Sequence, residues 1–502
     1  MTFDYIQAIH NAKVYDVAIK TPLVAAPKLS KRLNNRIAFK REDVQPVFSF
    51  KLRGAYNKIA HLSEEDKAKG VICASAGNHA QGVALAASRL GIPATIVMPE
   101  TTPDIKISAV EAMGGHVVLI GDSYSDALAH AEVLRDENGY TFIHPYDNEL
   151  VIAGQGTVAK ELLAQTDSPL DVVFIPIGGG GLAAGMALYI KALSPNTKVI
   201  GVEPVDSAAM FESIKANELV TLDQVGIFAD GVAVKRVGDI TFDLCKQHLD
   251  EIILVDTDET CAAIKDIYDE IRAIVEPAGA LALAALKKYV KREGITGQNM
   301  VTVNSGANMN FDRLRHVSER AELGERREAL FAVEIPEKAG SFLDFCTHLG
   351  AYNITEFNYR MSSRDKAYVY VGVAIKHGSQ AENIANELRA LGYNIISLMD
   401  NEAAKLHLRH LVGGKSVDVH DERLYRFEFP ERPRALLDFL TKLAGRWNIS
   451  LFHYRNHGAA FGRVLAGFEV PDSDLAEFQA FLEDVGYTYV DESDNQALKL
   501  FL

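Results

Sequence analysis

Short runs of β-forming residues alternate with helical patterns from Val71 to about Ser305. The runs "VICA", "ATIVM" and "HVVLI" each precede a helical segment, and "DVVFIPI", "KVIGVE" and "MVTVN" follow later. Alternation of this kind is typical of parallel strands joined by crossover helices. The sequence therefore predicts an α/β fold for the first three hundred residues, large enough to form two lobes.

The chain repeats itself after a highly charged segment. Residues 312–328, "DRLRHVSERAELGERRE", are dense in both charge signs, and we interpret them as an exposed helical connector. Beyond it, "FAVEIPEKAGSFLDFCTHLG" is similar to "YRFEFPERPRALLDFLTKLAG" at an offset of 94 residues. Each copy predicts the order strand, helix, strand, strand, helix, strand, which is the ferredoxin-like α+β arrangement. The predicted domains are therefore 1–311, 329–401 and 423–496, and the repeated pair suggests binding and regulation.

The charge balance disfavours two classes of partner. Lys and Arg number 52 against 67 Asp and Glu, and the net charge of −15 argues against nucleic acid and anionic membranes. The N-terminus lacks the pattern of a signal peptide, and no apolar run is long enough to span a bilayer. The scattered Cys73, Cys245, Cys261 and Cys346 form no CxxC pair, so we expect buried thiols in a reducing, cytoplasmic compartment.

A glycine-rich turn stands between an apolar strand and a helix in "IPIGGGGLAAG". It consists of Gly178, Gly179, Gly180 and Gly181. Backbone N–H groups in such a turn can face an anion, and the helix N-terminus adds partial positive charge, so the pattern predicts a phosphate site. Two alternatives remain open. A G-x-G-x-x-A pattern with Glu203 at the next strand end fits a dinucleotide site, and a tight turn needs no ligand at all.

A second strand-to-helix turn lies in "CASAGNHAQG". It consists of Ser75, Ala76, Gly77 and Asn78. Small residues and N–H groups at a helix start suit a carboxylate, and the Asn78 amide can donate to a ring hydroxyl. The alternative is a simple helix cap by Ser75 or Asn78, with His79 as a packing or surface residue. In "MVTVNSGAN", Ser305 follows a buried strand, where open α/β sheets bind ligands.

The segment "SFKLRGA" places Lys51 and Arg53 just after Ser49, which is a natural residue to cap a helix. A helix N-terminus disfavours cations, so a lysine held there and shielded from water has a lowered pKa. Its neutral amine can then act as a base or form a Schiff base. The alternative is a solvated surface lysine.

Taken together, "SFKLRGA", "SAGNHAQG", "GGGGLAAG", "EPAGALALAA" and "NSGAN" resemble, in order and spacing, the pyridoxal-phosphate enzymes of fold type II, the tryptophan-synthase-β-like group. Within this group the chain most closely resembles the biosynthetic threonine deaminases, or threonine dehydratases, whose C-terminal part holds two ACT-like regulatory units. The resemblance covers nearly the whole chain. It implies a two-lobed catalytic domain with pyridoxal 5′-phosphate as cofactor.

The resemblance also implies a role for each motif. Lys51 would form the Schiff base with the cofactor and then take the Cα proton of the substrate, with Phe50 beside it. The cofactor contacts would be Gly178 to Gly181 and the Leu182 amide for the phosphate, Asn78 for the ring hydroxyl and Ser305 for the pyridine nitrogen. The substrate carboxylate would lie on the turn of Ser75, Ala76, Gly77 and Asn78.

The implied reaction is the deamination of L-threonine to 2-oxobutanoate and ammonia, the first committed step of isoleucine biosynthesis, with serine as a secondary substrate. Isoleucine would inhibit the enzyme, and valine would oppose this inhibition. The enzyme would be a homotetramer. Tyr359 and Tyr454 are the candidate effector contacts, with core-edge packing as their alternative. Related serine racemases carry a serine thought to act as a base where this chain has Ala76, and an acid that binds a cation where it has Ala209. The resemblance therefore implies neither racemisation nor a metal site.

Three other readings of the chain remain open. One is a different fold type II activity, such as serine dehydratase or threonine synthase. The second is an NAD-dependent dehydrogenase using Gly179, Gly181 and Glu203, which would leave Lys51 and Ser305 unexplained. The third is a non-catalytic amino-acid sensor built on the ACT-like pair.

Overall fold

The computed structural model describes residues 3–121, 123–226, 228–311, 313–325, 327–350, 352–361, 365–401, 416, 418–430, 435–455 and 461–495. The chain forms two compact units, Met1–Gly324 and Glu325–Leu502. No helix within the described ranges is both long enough and apolar enough to cross a bilayer.

The first unit alternates helices and strands along its length. Its elements are, in chain order, α1 (Tyr5–His10), β1 (Leu23–Ala25), α2 (Pro27–Leu33), β2 (Arg36–Arg41), α3 (Lys51–Ala60), α4 (Glu64–Lys69), β3 (Val71–Ala74), α5 (Asn78–Leu90), β4 (Ala94–Met98), α6 (Asp104–Ala112), β5 (His116–Leu119), α7 (Tyr124–Asn138), β6 (Thr141–Phe142), α8 (Glu149–Gln165), β7 (Val172–Pro176), α9 (Gly181–Leu193), β8 (Lys198–Pro204), α10 (Ala209–Ala216), α11 (Asp239–His248), β9 (Glu251–Val255), α12 (Thr257–Ile271), α13 (Pro277–Glu293), β10 (Asn299–Asn304) and α14 (Arg313–Gly324).

Two parallel sheets organise this unit. The smaller sheet has the order β5-β4-β3-β6, and the larger has the order β1-β2-β10-β7-β8-β9. Every neighbouring pair is parallel except β1 with β2. Strands β4 and β7 are buried along their whole length, because helices cover both faces of a parallel sheet. The predicted α/β fold with two lobes is confirmed.

Helix α14 corrects the interpretation of the charged segment as exposed. One face of the helix is buried through Val317, Ala321 and Leu323. The buried Arg320 on the same helix donates to Asp258 of α12 at 2.6 Å. A single apolar stripe with one buried ion pair is enough to pack a helix, and the surrounding charges masked that stripe in the sequence.

The second unit contains the two predicted copies. The first copy comprises β11 (Glu328–Pro336), α15 (Ser341–Leu349), β12 (Ile354–Arg360), β13 (Lys366–Ala374), α16 (Ser379–Ala390) and β14 (Asn394–Ser397). The second comprises β15 (Glu422–Pro430), α17 (Ala435–Leu443), β16 (Asn448–Arg455), β17 (Phe461–Glu469), α18 (Leu475–Val485) and β18 (Thr488–Asp491). The ferredoxin-like order is confirmed in both.

The two copies share one antiparallel sheet of eight strands, in the order β14-β11-β13-β12-β16-β17-β15-β18. The join is the pairing of β12 with β16, where Asn358 lies opposite His453. These two residues occupy equivalent positions of the repeat, so a pseudo-two-fold axis passes between them. Phe357 accordingly pairs with Tyr454 and Tyr359 with Phe452.

All four cysteines lie in described segments, and all are buried and unpaired. Burial raises the pKa of each thiol. A thiol with a raised pKa is mostly protonated and therefore a poor nucleophile. The prediction of buried thiols is confirmed.

Candidate active site

Lys51 is the first residue of α3, and the residue at the N-cap position is Phe50. The predicted cap by Ser49 is wrong, because its hydroxyl is buried without a hydrogen-bond partner. Ser49 instead forms a backbone bridge with Gly306, and the Phe50 N–H donates to the Ser305 carbonyl at 3.2 Å. This pairing brings the start of α3 against the segment that follows β10.

The Lys51 amine faces the protein interior. Its Nζ donates to the Pro145 carbonyl at 3.0 Å and lies 5.4 Å from the centre of the Phe50 ring. Desolvation lowers the pKa of Lys51 to about 8, opposed by the Glu276 carboxylate, which raises it. A substantial fraction of this amine is therefore neutral near physiological pH, unlike that of a surface lysine.

Arg53 points away from the amine into a buried ionic network. Its guanidinium donates to both carboxylate oxygens of Glu42, each at 2.8 Å, and to those of Glu161 at 2.7 and 3.0 Å. Lys40 completes the network by donating to Glu161 at 2.7 Å. The pKa of Arg53 is raised because the neighbouring carboxylates outweigh its desolvation. Arg53 thus anchors the helix that carries Lys51.

The glycine turn lies between β7 and α9, and its shape excludes side chains. A Cβ on Gly179 would come within 2.1 Å of the Tyr146 ring, and one on Gly181 within 3.1 Å of Tyr146. Gly180 has a φ of +98°, which favours glycine. Because α9 begins at Gly181, the N–H groups of its first turn, that of the buried Leu182 included, have no partner within the helix. The cradle fits a phosphate group.

The dinucleotide alternative needs the Glu203 carboxylate to bind a ribose, but this carboxylate already accepts hydrogen bonds from the protein backbone. The buried Glu203 carboxylate accepts the backbone N–H groups of Met210 at 2.9 Å and Phe211 at 2.8 Å. Desolvation raises the pKa of Glu203 to about 8, with these bonds opposing the rise. Glu203 thus caps α10, whose first residue is Ala209. Among the described residues, no group of three or more His, Cys, Asp or Glu is placed to hold a metal ion.

The turn from Ser75 to Asn78 is half-buried and leads into α5. Gly77 takes the N-cap position, and no side chain there caps the helix, so the alternative of a simple cap is wrong. The Gly77 N–H donates to the Ser75 hydroxyl at 3.3 Å. A Cβ on Gly77 would meet nothing within 4 Å, so the turn, which includes Ala76, borders open space.

His79 serves packing, as the sequence indicated. It is buried, and its Nε2 hydrogen-bonds to the Ile143 carbonyl at 2.7 Å. Desolvation lowers the pKa of His79 to about 3, reinforced by the Lys51 charge. The ring is therefore neutral near Lys51.

Two polar residues hold the Asn78 side chain from opposite sides. Asn78 Nδ2 donates to Glu276 Oε1 at 2.7 Å, and Asn308 Nδ2 donates to Asn78 Oδ1 at 2.6 Å. Sequence reasoning assigned no role to either partner. The only available signals were the glutamate opening "EPAGALALAA" and the second asparagine of "NSGAN". The remaining predicted residue, Ser305, is buried directly after β10, and its hydroxyl donates to the Ala278 carbonyl at 3.3 Å.

The contacts described above link several of the predicted catalytic and cofactor residues into a closed ring of neighbouring residues. Each member is a chain neighbour of the next or packs against it. The ring runs, in order, through Lys51, Pro145, Tyr146, Gly179, Gly178, Val232, Gly231, Glu276, Gly306, Ser305 and Phe50. Asn78 joins this ring through its hydrogen bond to Glu276. The sheet order explains the ring, because β7 and β10 are neighbours and end at the same edge.

The two candidate effector tyrosines lie on the paired strands β12 and β16. The Tyr359 hydroxyl donates to the Glu337 carboxylate, which also accepts from Asn448 at 3.2 Å. Tyr454 borders a cavity between the two copies. The cavity is lined by Cys346, Leu349, Tyr352, Asn353, Ile354, Phe429, Leu436, Leu437, Phe452 and Tyr454, among others.

A desolvated lysine amine that is linked through Pro145 and Tyr146 to a glycine-rich turn points to one class of enzyme, and the comparison with known families agrees. The family described as "Pyridoxal-phosphate dependent enzyme" matches residues 14–306. The family described as "C-terminal regulatory domain of Threonine dehydratase" matches residues 319–408 and 413–502. The chain belongs to the pyridoxal-phosphate-dependent enzymes and carries two regulatory domains of the threonine dehydratase type.

Named relatives narrow the class further. The chain is 55% identical over 502 residues to a biosynthetic L-threonine dehydratase of Burkholderia multivorans, covering 99% of each. It is similar to the structure of the processed form of threonine deaminase isoform 2 from Solanum lycopersicum, with 51% identity and a TM-score of 0.62 over 63% of this chain and 92% of that one. Maize serine racemase follows with 33% identity and a TM-score of 0.59 over 62% and 96%.

Proposed function

We propose that the chain is a pyridoxal-phosphate-dependent ammonia-lyase that converts L-threonine into 2-oxobutanoate and ammonia, the committed step of isoleucine biosynthesis. The observation that carries this proposal is the closed ring of contacts that links the desolvated Lys51 amine, through Pro145 and Tyr146, to the glycine turn. Full-length similarity to a biosynthetic threonine dehydratase supports the substrate and the reaction.

The residues fit the cofactor. The backbone of Gly178 to Gly181, with the Leu182 N–H, would hold its phosphate, Asn78 its ring hydroxyl and Ser305 its pyridine nitrogen. When bound, pyridoxal phosphate supplies an aldehyde that condenses with amines and a ring that withdraws electrons from the substrate Cα. The neutral hydroxyl of Ser305 accepts or donates a hydrogen bond without carrying charge. It therefore favours moderate electron withdrawal, which suits elimination.

Lys51 moves the proton in this scheme. Its amine has a pKa of about 8 and is therefore able to accept the Cα proton of threonine, while the β-hydroxyl takes up a proton and leaves as water. The hydrogen bond from Lys51 to the Pro145 carbonyl holds the amine beside the segment that packs against the glycine turn. Phe50 covers the amine on one side, with its ring centre 5.4 Å from Nζ.

The turn from Ser75 to Asn78 would orient the substrate by binding its carboxylate. Its backbone lies at the start of α5 and borders open space at Gly77, which leaves room for a carboxylate. Ala76 offers no group that could donate or accept a proton, so proton transfer falls to Lys51 alone on this part of the site. Elimination is favoured over racemisation for that reason.

The direct experiment follows 2-oxobutanoate after purified protein is mixed with L-threonine. In Lys51→Ala the rate should fall by roughly 10²–10⁴-fold or more, the range for loss of a general base. Lys58→Ala is the matched control, because Lys58 lies in the last turn of the same helix, and its rate should stay close to that of the parent protein. Undiminished product from Lys51→Ala would overturn the assignment.

For the second unit, we propose that isoleucine inhibits the enzyme, that valine opposes the inhibition, and that an aliphatic amino acid occupies the cavity beside Tyr454. The predominantly apolar lining suits a branched aliphatic side chain, and Asn353 provides a polar group for the amino-acid head.

The resemblance further supports a homotetramer in the cytoplasm. The four buried thiols agree with a reducing compartment. Sedimentation equilibrium of the purified chain, which has a mass of 55.0 kDa, tests the tetramer directly.

A further inference from the structure

Asn78 is held by a relay of hydrogen bonds that begins at a backbone carbonyl. Asn308 Nδ2 donates both to the Val47 carbonyl at 2.8 Å and to Asn78 Oδ1 at 2.6 Å. The Val47 carbonyl can only accept, so it fixes which end of the Asn308 amide carries the nitrogen. With both Asn308 hydrogens engaged, the atom of Asn78 that faces Asn308 must be its oxygen.

The other end of the Asn78 amide is fixed by a carboxylate. Asn78 Nδ2 donates one hydrogen to Glu276 Oε1 at 2.7 Å, and Glu276 also accepts the backbone N–H of Asn308. An amide nitrogen carries two hydrogens, so one of them remains to point elsewhere. The orientation of Asn78 is thus determined from both sides.

The Glu276 side chain fits against the surrounding backbone because two of its neighbours are glycines. A Cβ on Gly306 would lie 2.3 Å from Glu276 Oε1, and one on Gly231 would lie 3.4 Å from the same atom. Glu276 itself is buried at the N-cap position of α13, directly before Pro277. The carboxylate is therefore held in a closely fitting space beside Gly231 and Gly306.

We propose that Glu276 and Asn308 are positioning residues that fix the Asn78 amide so that its remaining Nδ2 hydrogen is directed at the ring hydroxyl oxygen of the cofactor. This inference rests on the proposed contact between Asn78 and that oxygen. Neither residue touches the reacting atoms in this scheme, and both act on the ring oxygen of the cofactor through Asn78. Their effect is to keep a donor, rather than the amide oxygen, toward the ring.

The variant Asn308→Asp should flip the Asn78 amide. An aspartate cannot donate to Asn78 Oδ1 and instead accepts from Asn78 Nδ2. Glu276→Gln weakens the other end, since a glutamine offers one acceptor oxygen in place of two to the Asn78 amide and the Asn308 N–H. The readout is the ratio of the two absorption bands of bound cofactor, which reports the hydrogen bonding of the ring oxygen, together with the dissociation constant for cofactor. Loss of one hydrogen bond should raise that constant about tenfold.

A double-mutant cycle separates positioning from general structural support. In the parent protein, Asn308→Asp should shift the band ratio in the same direction as Asn78→Ala. In an Asn78→Ala background, adding Asn308→Asp should change neither the ratio nor the affinity further. Additive shifts would overturn the proposal, as would an unchanged ratio in Asn308→Asp.

The controls distinguish this inference from the function on which it rests. If Asn78→Ala itself leaves the band ratio and the cofactor affinity unchanged, then the proposed contact of Asn78 fails, and the relay with it. If Asn78→Ala shifts both but the Asn308 and Glu276 variants do not, only the relay is overturned. Asn308→Ala, which removes the donor without adding charge, replaces Asn308→Asp if circular dichroism shows that the latter is unfolded.

Discussion

Lys51 Nζ donates a hydrogen bond to the Pro145 carbonyl at 3.0 Å, and the residue after Pro145 packs against the glycine cradle. That residue is Tyr146, whose ring would lie within 2.1 Å of a Cβ on Gly179. Two residues adjacent in the chain, Pro145 and Tyr146, thus connect the amine to the glycine turn. Both the reach of Lys51 and the shape of the cradle depend on this short segment between β6 and α8.

Gly179→Ala should abolish stable cofactor binding, because the added methyl group overlaps the Tyr146 ring. The measurement is cofactor absorbance per chain after gel filtration. The matched variant Gly179→Ala/Tyr146→Ala removes the overlapping ring and should recover part of the binding. Full cofactor content in Gly179→Ala alone would show that the turn is not the phosphate cradle.

The pKa of Lys51 predicts its labelling behaviour in cofactor-free protein. Only the neutral amine reacts with an acylating reagent, so labelling of Lys51 should rise through a midpoint at about pH 8, well below the ordinary lysine value of 10.5. Mass spectrometry of the labelled peptide gives this midpoint.

Glu276→Gln tests the sign of the coupling between the two groups. The Glu276 carboxylate raises the pKa of Lys51, so its removal should move the labelling midpoint to lower pH. A midpoint that stays in place or moves upward would contradict the electrostatic account of the site.

Arg53→Met should destabilise the first unit severely. The substitution leaves Glu42 and Glu161 buried with only Lys40 as a cation, and breaking a buried ion pair on one side costs about 3–5 kcal/mol in the free energy of unfolding. Urea denaturation followed by circular dichroism measures the change. Arg315→Met is the control, because Arg315 is largely exposed and its pair with Glu319 in the next helical turn should contribute less than about 1 kcal/mol.

The cavity beside Tyr454 predicts the outcome of filling it. Leu436→Trp adds a larger side chain to the lining, so the isoleucine concentration for half-inhibition should rise at least about tenfold, equivalent to about 1.4 kcal/mol of binding. Each inhibition curve is normalised to the uninhibited rate of the same variant. Leu391→Trp at the exposed end of α16 is the control and should leave the curve in place. An unchanged curve for Leu436→Trp would place the effector elsewhere.

The strands were readable from the sequence because strands buried on both faces are continuous apolar runs. "VICA" and "ATIVM" coincide with β3 and β4 for this reason. The repeat was equally readable, since two copies of one pattern must form two copies of one fold. The sequence predicts a helix or strand correctly where the residues of that element alone determine which of its side chains are buried.

Contacts between distant segments were not readable. Glu276 bonds to Asn78 across 198 positions of the chain, and nothing near either residue indicates the partner. Arg53 looked like a second cation at a helix start, yet the fold places Glu42 and Glu161 around it. Tertiary burial of charge depends on where three separate elements meet, which one sequence does not specify.

Borohydride reduction followed by peptide mapping tests the central claim most directly. The account predicts that reduction of the cofactor-loaded protein leaves the cofactor mass covalently attached to the peptide containing Lys51. Attachment to a peptide with a different lysine, or no attachment at all, would contradict it.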